Sequence, residues 1–407
     1  MKQIVTFLVV AFFLVMNADG QTAYIANNGS NSNNISVIDL ATNTVIDSIP
    51  AASCPQGVSV SPDGNKVYVA NVCDNTVIVI NTFTNTVSDT IPVGHIPEGI
   101  SVSPDGSKVY VSNNLDSTVS VINTYTDSVS AIISVGFPPF GICVSSDGSK
   151  VFVDNHLTNT VSIINTTTNT ILGSLTVGGN PFGLSISPDG TKVYVTNTHD
   201  STVSVINTAT NAVTAIINVG PYPDGIAVSP DGSKIYVAND GDNTVSVINA
   251  ATNTVSATVL VGLGSYGISI SPDGSKVYVT NLYGSSVSVI NTSTNTVSAT
   301  IIVGDNPTSF GNFISTHTTG IPSLNGESST ISIYPNPNNG TFTLFYPQLS
   351  IPNSQLLITD VLGNEVYAEA IINQQSSIIN IPNLSNGVYF YQITNNKEIL
   401  RGKFIKE

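Results

Sequence analysis

The sequence predicts an all-β fold, on three observations: a composition built for strands and turns, a four-strand unit that returns every 42 residues, and repeat ends that complete one another. Gly 32 and Pro 21 punctuate long runs of Val, Ile, Thr, Ser and Asn. The β-branched residues suit a pleated surface, while Gly and Pro supply the backbone angles of turns.

Asp-Gly pairs open at Asp63, Asp105, Asp147, Asp189, Asp231 and Asp273, each 42 residues after the last. Around each lie four alternating or β-branched runs, strands A to D. In one unit they are Gly99 to Ser103, Lys108 to Asn113, Thr118 to Asn123 and Ser128 to Gly136. Pro104-Asp105-Gly106 turns A into B, and the Asn123 to Asp127 cluster turns C into D through short side chains that bond nearby backbone. Such a repeat predicts propeller blades. Residues 23–50 carry only strands B, C and D, and Pro307 to Ser315 carry only a strand A. Six whole units and two complementary fragments predict seven blades over 21–315. The last strand then joins the first blade and hides a sheet edge, so a monomer is expected.

The units share Tyr68-Val-Ala-Asn71, Tyr110-Val-Ser-Asn113, Phe152-Val-Asp-Asn155, Tyr194-Val-Thr-Asn197, Tyr236-Val-Ala-Asn239 and Tyr278-Val-Thr-Asn281. This motif resembles the YVTN-type β-propeller repeats of bacterial and archaeal cell-surface proteins. The resemblance implies fold and surface location; propellers host too many functions for it to imply an activity.

Both ends read as export signals. Lys2, an apolar run from Ile4 to Val15, then Ala18 and Gly20 predict a signal peptide over 1–20, too short to span a bilayer, which needs about 20 apolar residues. Residues 316–330 are linker-like in their Thr, Ser and Gly content. Residues 331–407 predict about seven short strands in a small Ig-like β-sandwich. Within them Tyr334-Pro-Asn-Pro337, Asp360-Val-Leu-Gly363 and Asn386-Gly-Val-Tyr389 resemble the type IX secretion sorting domain, type A, of Bacteroidetes. That resemblance implies a secreted or outer-surface address and the type IX secretion machinery as a partner.

With 11 Lys+Arg against 26 Asp+Glu the net charge is −15, which argues against nucleic acid and anionic membranes as partners. No transmembrane segment is expected. Lys66, Lys108, Lys150, Lys192, Lys234 and Lys276 are the only Lys or Arg of 21–315, and all follow the Asp-Gly turn. A–B and C–D turns share one face of a propeller, so these charges read as solubility and edge protection on that face.

The opposite face, made of D–A and B–C turns, varies between units and has no Lys or Arg. Gln56, Glu98, Phe140, Phe182, Asp224 and Tyr266 each precede the constant Gly of strand A, one per blade near the axis. They are predicted to rim the channel mouth. His95, Phe137, Tyr222, His156, His199 and Tyr283 form a second circle. Aromatics with a few carboxylates in a concave mouth suit an extracellular glycan, peptide or protein. The expected function is a binding module, with Gln56, Glu98, Phe140, Phe182, Asp224, Tyr266, His156 and His199 as ligand-binding residues. The rival is an extracellular lyase or lactone hydrolase using Glu98, His156 or His199.

No nucleophile elbow, zinc helix or phosphate loop is present, so no catalytic residue, metal or cofactor is predicted. Asp240-Gly-Asp-Asn243 resembles the start of a calcium loop, but Ala251 stands where the closing Glu belongs. Cys54 and Cys73 fall on the variable face of one blade and predict a disulfide in an exported chain. Cys143 lies in a strand A and is expected to be a buried thiol. Asp154, where other units hold Ala, Ser or Thr, has no account at this level.

Overall fold

The structure is a computed structural model that describes residues 21–29, 32–318, 332–334, 340–345, 354–360, 364–371, 376–394 and 399–406. The chain divides into two compact units at Ile321/Pro322. The signal segment 1–20 and residues 319–330 of the expected linker lie outside the described residues.

Residues 21–318 form consecutive four-stranded antiparallel sheets, with no α-helix among the described residues. The second sheet, for example, runs through Pro55–Val60, Lys66–Asn71, Thr76–Asn81 and Thr86–Pro92. Five more follow in the same A–B–C–D order, ending with the seventh, which opens at Ser265–Ile270 and closes at Thr296–Ile302. The first sheet is composite: Ile314–Thr318 pairs with Gln21–Gly29, ahead of Ser32–Asp39 and Thr44–Pro50.

Local chemistry sets these strands. At each A–B turn an Asp accepts from a Ser hydroxyl and a backbone N–H, as Asp105 does from Ser103 Oγ (2.6 Å) and Ser107 N (3.0 Å). The glycine beside it takes φ near +72°, which a side chain would resist. Strand D carries one extra residue against strand C. In the third sheet this bulge is Ser130, whose hydroxyl donates to Val121 O at 3.0 Å. The Asn that ends each strand B is buried. Asn113 Nδ2 donates to Thr118 Oγ1 (3.0 Å) and Ser120 Oγ (2.9 Å), pinning the B–C turn.

The aromatic residue of each Tyr-Val-x-Asn motif joins one sheet to the next. Tyr68 is wholly buried among Ile100, Val109, Val111 and Ile122 of the third sheet, and Tyr110 packs likewise into the fourth. Tyr278 of the seventh sheet enters the core of the first, with Ala23, Ile25, Ile35 and Val37. Such burial stabilises each junction by about 3 kcal/mol. The lysines repeat the same step at the surface. Where the sequence alone suggests solubility, each Nζ reaches a C–D turn of the following sheet. Lys66 bonds Thr124 O (3.1 Å) and Asp127 Oδ2 (2.7 Å), Lys108 bonds Thr166 O (2.9 Å), and Lys276 bonds Leu40 O (2.9 Å) in the first sheet.

The closing segment is less regular than expected. Pro307 makes an isolated bridge to Asn27, and regular pairing resumes only at Ile314, running to Thr318 and so taking in the first residues assigned to the linker. Gly311, at φ +113°, bends the chain between them. The detour carries Phe310 O and Asn312 O to Val58 N (2.9 Å) and Val60 N (3.0 Å) of the second sheet.

In the second unit, Ser332–Tyr334, Thr341–Phe345 and Ser376–Asn380 make one sheet. Glu365–Ile371, Ser354–Thr359, Gly387–Thr394 and Ile399–Lys406 make the other. Their shared core includes Phe342, Leu344, Leu356, Ile358, Ile379 and Ile393. Asp360 closes its turn by accepting from Asn364 N and Nδ2, each at 2.9 Å.

Candidate functional mouth

The residue before the constant glycine of each strand A is carried toward the axis because that glycine leaves no room for a side chain. A Cβ on Gly99 would lie 2.4 Å from Phe140 O, and one on Gly183 2.3 Å from Asp224 O. Adjacent strands A therefore nearly touch, and the side chains at the preceding position meet across the axis.

Phe140 stacks on Phe182 with centroids 4.0 Å apart, and Phe182 meets Tyr266 edge-on at 5.7 Å. Gln56 Nε2 donates to the Tyr266 hydroxyl at 3.3 Å. Phe310, which the sequence reading missed, completes the plug at 5.8 Å from Phe140 and 5.1 Å from Phe182. Its signal was present: the corresponding positions elsewhere hold Val58, Ile100, Ile142, Leu184, Ile226 and Ile268. The rings thus fill the axis, with a cavity of about 20 Å³ lined by Ile142, Leu184, Ile226, Ile268 and Phe310.

Glu98 and Asp224 belong to the same ring. They are 9% and 8% exposed, and burial pushes each carboxyl up to about 8, with the field of Asp240 adding to Asp224. Glu98 Oε2 has no hydrogen-bond partner. The Tyr266 phenol is held well above its usual range, first by burial and then by Asp224, Glu98, Asp240 and Tyr283.

The second circle is outside this knot. Phe137, Tyr222 and Tyr283 are exposed. His95 Nδ1 pairs with Asp116 Oδ1 at 2.9 Å, and His199 Nδ1 with Asp200 Oδ1 at 3.4 Å. His156 lies 6.5 Å from the Phe140 ring, with Nδ1 3.4 Å from Pro181 O. Among the described residues no hydrogen bond or ion pair joins Glu98 to His156 or His199, and no three His, Cys, Asp or Glu side chains gather at metal-binding range.

Asp154 acquires an explanation. In three other sheets this position is a hydroxyl, Ser112, Thr196 or Thr280, and in two it is Ala70 or Ala238; Ser112 Oγ accepts from Gly99 N (2.8 Å) and donates to Phe140 O (2.5 Å). Asp154 Oδ2 accepts from Gly141 N (2.7 Å) and Oδ1 from Phe140 N (3.0 Å). Burial outweighs these bonds and holds the carboxyl well above its usual range. Cys143 is a buried free thiol, pushed up to about 12 by burial and then by Asp154. Cys54 and Cys73 are joined, Cα atoms 5.5 Å apart, tying a D–A loop to the B–C turn of the same sheet.

Repeated four-stranded sheets, the first completed by the strand that follows the last, describe a β-propeller. Residues 332–407 match the secretion system C-terminal sorting domain family, and residues 9–104 and 190–283 match the YNCE-like β-propeller family. The chain joins a β-propeller to a type IX sorting domain, which directs it to the cell surface or into the medium. Among solved structures, hydrazine synthase of Kuenenia stuttgartiensis is similar at 23% identity and a TM-score of 0.62, over 67% of this chain and 93% of that one. A functionally unknown protein from Desulfotomaculum acetoxidans is similar at 17% identity and 0.62, over 72% and 98%. These likenesses show the fold alone. No curated protein matches the sequence. Among the described residues no helix is long and apolar enough to cross a membrane.

Proposed function

We propose that the chain is an extracellular binding module: a closed seven-bladed propeller presenting its D–A/B–C face to a glycan, peptide or protein. In this reading residues 1–20 are the signal peptide, 21–315 with the short extension to 318 the propeller, and 331–407 an Ig-like sorting sandwich joined by a linker. The observation that carries it is a division of labour between positions. Residues constant from unit to unit are consumed by structure: Asp at the A–B turn, Tyr between sheets, Asn at the B–C turn, Lys across the rim. Positions that differ converge at one mouth, where aromatic faces and carboxyls crowd together. Aromatic rings with a few polar groups are what ligand sites are made of.

The test is a glycan and peptide array probed with the full chain and with a Phe137→Ala/Tyr283→Ala variant. Both side chains are exposed, so their loss leaves the core intact. Ligand capture that falls by about tenfold in the variant, the scale of losing an aromatic contact, supports the reading. Capture that is unchanged, or absent on every array, counts against it. His156 and His199 stand apart from Glu98 in their contacts, so nothing in the geometry favours the hydrolase or lyase alternative.

A further inference from the structure

The tips of the variable face carry side chains that the sheets themselves do not require. Leu115 and Leu157 stand on the B–C turns of the third and fourth sheets and Leu263 on the D–A loop of the seventh, 65%, 69% and 60% exposed. Turns ordinarily hold small or polar residues. The repeat shows that no sheet needs an aliphatic there: the position of Leu115 holds Cys73, His199 and Gly241 in other units, and that of Leu263 holds Ser53, Gly179 and Asp305. Exposed rings share these turns. Asn114 Nδ2 donates to Pro139 O (3.2 Å), joining the turn of Leu115 to the loop that carries Phe137. Tyr283 N donates to Leu263 O at 3.1 Å. The charge of the same face has one sign. Asp74, Asp116, Asp200, Asp242 and Asp305 are exposed on its turns and loops, while the six lysines of 21–318 all follow A–B turns, on the opposite face. The N–H groups of His95 and Gly179 hold Asp116 and Asp200 below the usual carboxylate range, so both are ionised at neutral pH.

We propose that this face docks a basic, apolar polypeptide segment, with aliphatic side chains against Leu115, Leu157 and Leu263 and lysine or arginine against the exposed aspartates. The proposal rests on the binding-face reading above and names the partner that face would select. Exposed apolar side chains rimmed by polar ones are the make-up of a protein interface. A neutral glycan brings neither a cation for the aspartates nor an aliphatic side chain for the leucines. An anionic bilayer is repelled by the same charge, and so is the same face of a second copy of this chain. The two kinds of residue divide the task. The aspartates speed the encounter with a cationic partner, and the leucines slow its release.

The experiment is fluorescence anisotropy of an alternating Leu-Lys peptide titrated with the full chain at pH 7.5, with Leu-Glu and Ser-Lys peptides of equal length as counterparts. The Leu-Lys peptide is expected to bind, and each counterpart to bind at least about tenfold more weakly. Leu115→Ser/Leu157→Ser should weaken the Leu-Lys peptide by about tenfold or more; both side chains are exposed, so the fold is kept. Asp242→Asn/Asp305→Asn should weaken it by about threefold and flatten its decline as salt is raised to about 0.15 M. Tyr125→Ser, which strips an exposed ring from the opposite face, should change nothing. Three results overturn the docking surface: a counterpart peptide that binds equally well, binding unchanged by the leucine pair or the aspartate pair, or an equal loss from Tyr125→Ser. If the arrays meanwhile yield a glycan lost in the Phe137→Ala/Tyr283→Ala variant, the binding-face reading stands and only the basic polypeptide falls. Silence with every peptide and on every array takes both down.

Discussion

Burial raises the carboxyls of Glu98, Asp224 and Asp154, and hydrogen bonding lowers those of the turn aspartates Asp147 and Asp231. Glu98 and Asp224 titrate near 8 in the folded protein against ordinary values of 4.5 and 3.8, so the folded state holds protons that the unfolded chain has released. Their contribution to stability is complete below about pH 4 and is lost as pH rises through about 8, at up to ~1.4 kcal/mol per pH unit for each group. Asp147 and Asp231 are lowered to about 2, first by the Ser145 and Ser229 hydroxyls, so their contribution is present above about pH 4 and is lost as pH falls through about 2. The windows do not overlap, so the propeller should be most stable near pH 4–5 and weaken toward pH 8. Thermal midpoints of the propeller transition across pH 4–9 read this directly. The Glu98→Gln/Asp224→Asn double variant should flatten the alkaline arm, leaving the part due to Asp154. A wild-type profile that is level from pH 5 to 8 contradicts neutral carboxyls at the axis.

At the scale of strands and loops, what the sequence made legible was whatever is local to one unit. Alternation located strands, Asp-Gly pairs located turns, and comparing units picked out Glu98, Phe140, Phe182, Asp224 and Tyr266 as residues without a repeated structural role. What stayed hidden lies between units. The partner of Lys108 is Thr166 O, 58 residues on, and Phe310 reaches the plug only because Gly311 bends the closing segment. Such contacts follow from how neighbouring sheets twist against each other, which a period of 42 does not encode. Cys54–Cys73 shows the same local logic with a covalent bond. In the third and fifth sheets the D–A loop and the B–C turn are held by a carboxylate, as Asp116 holds His95 N and Asp200 holds Gly179 N. In the second sheet Asp74 makes that bond to Ser53 N and the disulfide is added to it, across a separation of 19 residues. Reduction, or Cys54→Ser with Cys73→Ser, should cost about 3 kcal/mol by the loop-entropy argument. Denaturant midpoints with and without reductant measure it. Because Asp74 remains, the loop should keep its place, and array binding at the mouth should survive reduction.

Over the whole propeller, each sheet offers an aromatic side chain to the next, and the arrangement is satisfied only if the last sheet finds a first. Tyr278 does so in the core around Ala23 and Ile35, and Lys276 repeats the step at the rim through Leu40 O. That receiving sheet exists because the chain's end supplies its innermost strand. Tyr24 N donates to Phe313 O (2.9 Å), Asn28 N to Asn306 O (2.9 Å) and Ala26 N to Ser309 Oγ (2.6 Å). The same segment bonds Val58 and Val60 of the second sheet, so it fastens two sheets at once. Deleting 307–315 strips Tyr24 N, Ala26 N, Val58 N and Val60 N of their partners and bares a sheet edge, and together these losses rival the whole stability of a domain stable by about 5–15 kcal/mol. The deleted chain should be unfolded or polymeric by light scattering and circular dichroism. Lys276→Met is the contrasting variant: it removes the half-buried Nζ contacts to Leu40 O (2.9 Å) and Asn43 Oδ1 (3.4 Å) at the same junction and should cost about 1 kcal/mol or less. A deletion chain that remains a folded monomer with an unaltered midpoint would mean that the sheets hold their order without closure. A Lys276→Met variant that unfolds would mean instead that the rim, and not the shared sheet, carries the junction.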